Sequence, residues 1–278
     1  MRGLGIGLFL FAASLAAAAP TRHLQETLGG SVNTLGIQNN LELSWRWALS
    51  RSENPLLKDA HFTIGFNDSL SPAYNRLSAY VELSPLSILD LRAGIEPAVY
   101  FGTFSALQDF TGYDDLFDED TRRETNGRAK AGLGGRVYLA PTFKIRFGRV
   151  ILASSAEFEW WKTGNDGPYF YESTRDLLMK AAGDSMMQTS SVVLYEIPRG
   201  EGKVLIGPIH NLFDVYDAPQ NRIHRLGLLG VYEVAPRRWG VGQPTAILQV
   251  QRYLDDRFKQ DELMAILAVR FQLGQPTR

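Results

Sequence analysis

Charged side chains recur at even steps along this chain: Glu42 and Arg46, Glu82, Asp90, Arg92 and Glu96, Lys144 and Arg146, Glu157 and Glu159. His61, Arg76, Lys130 and Arg136 fall in segments of the same kind. Acids and bases spaced by two share one face of an extended strand, where they set up a transverse field able to sort small polar solutes. Catalysis is harder to assemble. The four histidines, His23, His61, His210 and His224, stand in no metal-ligand or nucleophile–base spacing. The absence of cysteine removes disulfides, thiolate nucleophiles and iron–sulfur clusters together. No metal and no cofactor is expected.

Two other places hold residues that chemistry uses. The stretch 109–124 carries Asp109, Asp114, Asp115, Asp118, Glu119, Asp120 and Glu124 against Arg122 and Arg123. Such oxygen density suits calcium, but the alternating order of an EF-hand is missing, so a solvated acidic loop is the expectation. Phe110, Tyr113 and Phe117 within it imply that the loop folds onto something. Gly132, Gly134 and Gly135 sit in an alternating strand with no helix after them, which rules out a phosphate cradle.

The elements that must position these residues are strands. From Ile37 to Leu49 apolar residues occupy odd positions and polar ones even positions, a period of two. The pattern recurs twelve times: 22–31 (weak), 36–49, 58–68, 74–84, 88–102, 128–140, 143–162, 186–197, 203–213, 222–235, 244–254 and 262–273. Ala140-Pro141-Thr142 reads as a tight turn, and the change of apolar parity after Phe147 as a bulge near Gly148. In the second long connection, Ser173-Thr174-Arg175-Asp176 before Leu177 and Gly183 after Ala181 predict a short helix. Residues 1–19, with Arg2, an apolar run and Ala16 to Ala19, read as a cleaved signal peptide, which leaves 20–278 as one domain.

With 278 residues, 29 basic against 30 acidic side chains and a net charge of -1, no basic field exists for nucleic acid. Alternation alone leaves a soluble barrel, or another soluble periplasmic β protein, open. Three features favour a membrane barrel: charges of both signs on the polar face, a strand number too large for side chains to fill the inside, and short connections alternating with long ones at 103–127 and 163–185. A fourth is aromatic placement: Trp45 and Trp47 near one end of their strand, Phe101 and Trp160 near the other end of theirs, as in a lipid-interface girdle.

Signal segment, alternation and the terminal strand Val269-Arg270-Phe271-Gln272-Leu273 together resemble the Gram-negative outer-membrane β-barrels, porins included. That family closes on an aromatic residue at the C-terminus, whereas Gly274 to Arg278 follow here. The resemblance implies an all-β, closed, antiparallel up-and-down transmembrane barrel. It also implies Phe271 in the girdle, outer-membrane lipid and the barrel-assembly machinery as partners, and location in the cell outer membrane. A narrow channel for small polar solutes is the first expectation of function. A closed structural or receptor barrel working through its loops is the second. A lipid hydrolase is the third, although the histidine two residues before a serine that such barrels carry is absent.

Overall fold

The structure is a computed structural model that describes residues 19–218, 220–234 and 244–273. Most of the expected signal peptide and the segment after Leu273 lie outside those residues. Among the described residues fifteen strands form: β1 (Thr21–Val32), β2 (Gly36–Ala48), β3 (His61–Leu70), β4 (Tyr74–Leu86), β5 (Leu89–Phe101), β6 (Asp109–Phe110), β7 (Ala131–Phe147), β8 (Val150–Thr163), β9 (Tyr169–Glu172), β10 (Leu177–Lys180), β11 (Asp184–Arg199), β12 (Gly202–Val215), β13 (Arg222–Glu233), β14 (Thr245–Asp255) and β15 (Leu263–Gln272). Twelve of them close into one antiparallel barrel in the order β1-β15-β14-β13-β12-β11-β8-β7-β5-β4-β3-β2. The other three, β10-β9-β6, make a small separate sheet.

Period two in the sequence becomes two faces of the wall. Leu77, Ile95, Leu139, Leu228 and Leu267 are at least half exposed on the outside, while their neighbours turn into the lumen. No soluble barrel would leave so much aliphatic surface in water; a barrel turned to lipid must. Closure pairs β1 with β15 from Gln25↔Gln272 to Val32↔Ala265, so the barrel has no open edge. The up-and-down order puts the two-residue turns 87–88, 148–149 and 200–201 at one end, with the loop 49–60. The long connections 102–130 and 164–183 leave the other. We call these the turn end and the loop end.

Three expectations are corrected. The sixth hairpin turns at Gly148-Arg149, where Gly148 has φ +58°, and Ala140-Pro141-Thr142 runs straight through β7. A left-handed residue is what this two-residue connection needs, and the apolar parity changes because the chain reverses there. No helix forms at 173–183. Tyr169–Glu172 and Leu177–Lys180 pair as a hairpin, and Ser173 to Asp176 is its turn, with Asp176 at φ +60°. The one α-helix among the described residues, α1 (Glu119–Glu124), lies in the other long connection and is capped by Asp118, whose carboxylate accepts from Thr121 N at 2.9 Å. Lys130 precedes β7 instead of lining the lumen and pairs with Asp109 and Asp166 of the loops.

Glycines let bulky lumen groups lie flat on the wall. Tyr80 of β4 lies across Gly65 of β3, where any Cβ would collide with its ring, and its hydroxyl reaches Glu42. Tyr138 covers Gly94 in the same way and bonds Ser78 at 3.0 Å. Gly132 and Gly134 leave room for Leu107 and Tyr100. Gly65→Val is therefore expected to lift Tyr80 off the wall and lower the stability of the folded barrel in urea by about 1–3 kcal/mol, the usual cost of overpacking. An unchanged urea midpoint would refute this packing account.

Candidate functional site

Glu42, Arg46, His61, Arg76, Glu82, Asp90, Arg92, Glu96, Arg136, Lys144, Arg146, Glu157 and Glu159 share the inward face of the wall from β2 to β8. Arg92 pairs with Glu82 at 2.9 Å, Lys144 with Asp90 at 2.5 Å, and Arg146 with Glu196 at 2.9 Å. Arg136 is the centre of the deepest group: it bridges Glu96 at 2.9 Å, Glu159 at 2.8 Å and Glu157. Trp161 Nε1 donates to the same Glu159 at 2.7 Å. Buried charges survive only when paired and bonded, and here each carboxylate shares a cation with its neighbour.

His61 sits at the turn end of this wall. Its Nδ1 donates to the Asp59 carbonyl at 2.7 Å, and its Nε2 receives the Arg46 guanidinium at 2.6 Å. Ser84 Oγ is 3.0 Å from Nε2, yet its proton goes to Asp90 at 2.5 Å, and Ser84 is only 1% exposed. That is a hydrogen-bonded wall residue, not a base aimed at an accessible hydroxyl. His23 also faces inward. His210 and His224 face outward, opposite to any lumen site.

Two polar cavities occupy the lumen between these charges. One of about 180 Å³ is lined by His23, Glu42, Arg46, Tyr80, Glu82 and Arg92 among others. The second, about 290 Å³, shares Glu82 and Arg92 and adds Asp90, Thr142, Glu157 and Gln188. Across from the charged wall, β11, β12 and β14 present amides: Gln188, Asn211, Gln249 and Gln251.

Toward the loop end the lumen is filled. The β6-β9-β10 sheet and its loops pack Leu107, Phe110, Phe170, Leu178 and Met179 against Tyr100, Trp161, Met186, Tyr253 and Met264 of the wall. Phe170, Leu178, Met179 and Trp161 are 0% exposed. Beneath this apolar layer the β9–β10 turn carries charge into the lumen. Glu172 accepts from Arg76 of β4, from Thr174 Oγ1 at 2.7 Å and from the Arg175 backbone at 2.8 Å. Arg175 reaches Glu159 at 2.8 Å. Asp176 ties four connections together: it takes Lys259 of the β14–β15 loop, Thr34 of the β1–β2 turn at 3.0 Å, Tyr171 at 2.5 Å and Arg122 of α1 at 3.5 Å.

Glu172, Arg175 and Asp176 were not among the expected site residues. Ser173 to Asp176 read as the start of a short helix, which gives Arg175 and Asp176 no inward partner. Several acids of 109–124 are engaged. Asp115 accepts from Thr111 N at 2.6 Å, Asp118 caps α1, and Asp109 pairs with Lys130. The girdle residues all face outward: Trp45 meets Phe66 edge to face and Trp47 meets Phe62 at a tilt toward the turn end, Phe271 lies one residue before the end of β15 there, and Phe101 and Trp160 lie toward the loop end.

Known proteins match this chain only in architecture. No family model and no curated protein matches it. Among solved structures, the NanC porin is 8% identical, covering 91% of this chain and 100% of that one at a TM-score of 0.44. The β-domain of the Bordetella autotransporter BrkA is 13% identical over 92% and 100%, at 0.48. The translocator domain of NalP from Neisseria meningitidis is 10% identical over 99% and 98%, at 0.42. The protein is a closed twelve-stranded antiparallel barrel whose wall turns an aliphatic face outward.

Burial opposes ionisation of Glu172, but Arg76 and Arg175 outweigh it and hold the carboxyl below the usual range. Burial opposes Asp176 too, and Lys259 and Arg122 lower it. Both folded values lie below the unfolded ones, so the stabilisation is complete at neutral pH and is lost as pH falls below the ordinary carboxylate range. Trp161 emission, read with the other four tryptophans changed to phenylalanine, should therefore shift to the red in acid while strand content holds. E172Q should move that transition toward neutral pH, because it leaves Arg76 buried and unpaired, a change worth about 3–5 kcal/mol. Identical acid profiles for both chains would contradict the latch.

Proposed function

We propose that the protein is an outer-membrane channel for small polar solutes whose outer mouth is held shut by the β6-β9-β10 plug. The observation that carries this reading is the unfilled polar space in the lumen, about 180 and 290 Å³ between walls of opposed charge and amides. A barrel serving only as a strut gains nothing from wet, charged cavities, whereas a solute path needs them. Glu82 and Arg92, bordering both cavities, form the selective constriction. Export by residues 1–19 and insertion by the barrel-assembly machinery belong to this reading, with the short turns on the periplasmic side.

A second reading has its own support: the outer part of the lumen is filled by a continuous cluster of buried side chains, which suits a closed barrel that acts through its loops. Conductance in planar bilayers separates the two. The wild-type barrel should open rarely, and E172Q/D176N, which keeps the chain but removes the latch charges, should raise open probability at least about tenfold, as expected when 1.4 kcal/mol or more is taken from the closed state. Silence from both barrels, each shown folded by its heat-dependent gel mobility, would sink the channel reading and leave the closed barrel.

A further inference from the structure

The outward face is aliphatic and aromatic nearly all round, but one stretch of wall departs from it. At mid-strand on β8, β11 and β12 the outward residues are Ser154, Ser191 and His210, with Ser154 paired to Ser191 and Ser191 paired to His210. The adjoining row toward the loop end carries Ala156, Thr189, Leu212 and His224. Ser154 Oγ and Ser191 Oγ bond each other at 2.8 Å. His210 and His224 meet edge to face with ring centroids 5.7 Å apart, and among the described residues neither ring has a hydrogen-bond partner. The other outward polar pair near mid-strand, Glu26 and Asn39, satisfies itself at 2.9 Å.

Acyl chains offer neither donors nor acceptors, so imidazoles left open to them are costly. Lipid phosphates lie at the rims of the bilayer, away from mid-strand. A second wall of protein answers both the polarity and the shape. Serine, alanine and threonine leave a shallow surface that lets two sheets approach closely. The set is also self-complementary: each imidazole carries a donor and an acceptor, each serine likewise, and a two-fold axis along the membrane normal sets His210 of one copy against the serines of the other.

We infer that β8, β11 and β12 form the contact face of a two-fold dimer of this chain, joined through Ser154, Ser191 and His210. The inference rests on the outer wall facing lipid. The chain has no cysteine, so single thiols report the contact directly. S191C, reconstituted in phosphatidylethanolamine vesicles and oxidised, should run mainly as a disulfide-linked dimer. L41C, on β2 half-way round the barrel, should stay monomeric. Adding H210L to S191C should cut the cross-linked fraction at least about fivefold while the heat-dependent gel shift persists. An inserted barrel that cross-links no more through S191C than through L41C would overturn the dimer alone. Recovery as a soluble protein with no gel shift would overturn the lipid-facing assignment and the dimer with it.

Discussion

In hydrocarbon no water is present to bond a free peptide group, so a sheet that crosses a membrane has to end where it began. Pairing of β1 with β15 meets that demand, and much else in the molecule is a consequence of it. Twelve closed strands enclose more space than inward side chains can span, since about eight strands is the packed size. The interior must then be wet, or filled by something other than wall. This chain does both, at different heights. Near the turn end and through the middle, ion pairs and amides border polar cavities; toward the loop end, two long connections fold back inside.

Charge pairing is what makes the wet part possible. A lone guanidinium in such a lumen would be a heavy burden, but Arg136 held among Glu96, Glu157 and Glu159 is compensated from three sides. The plug joins this network. Arg175 adds a second cation to Glu159, and Glu172 supplies the carboxylate that Arg76 would otherwise lack. Tyrosines laid over Gly65 and Gly94 complete the wall by carrying hydroxyls toward Glu42 and Ser78 without filling the space between.

Much of the barrel was legible because the side-chain period of a strand is two and a wrong parity would turn every residue around. That is why the inward placement of Glu42, Arg92 or Glu157 could be read from spacing, and why Lys130, just outside the regular run, was misplaced. Turns were read less well. Proline at 141 suggested a reversal, yet on this strand it merely gives up one ladder donor, while the reversal sits at Gly148, where φ is positive. The plug was largely illegible. Ser173 to Asp176 has the composition of a helix start, but the same residues cap a hairpin turn when Glu172 can accept from Thr174 and Arg175. Local chemistry left both open; partners some 96 residues away in sequence, such as Arg76, decided it.

The relative sizes of the terms also limit how the plug can move. Breaking one buried ion pair costs about 3–5 kcal/mol. Exposing Phe170, Leu177, Leu178 and Met179 to water would cost ~1.5–3 kcal/mol for each side chain, a larger sum. A hairpin drawn out alone would lose both. Motion of the β6-β9-β10 sheet as one body keeps Phe110, Phe117 and Tyr171 in mutual contact and gives up only the layer against Tyr100, Trp161 and Met186. On that route the latch at Glu172 and Asp176 is the specific resistance and the apolar interface the general one. On the channel reading, the charges would set when the plug leaves, and its own core would keep it folded as it does.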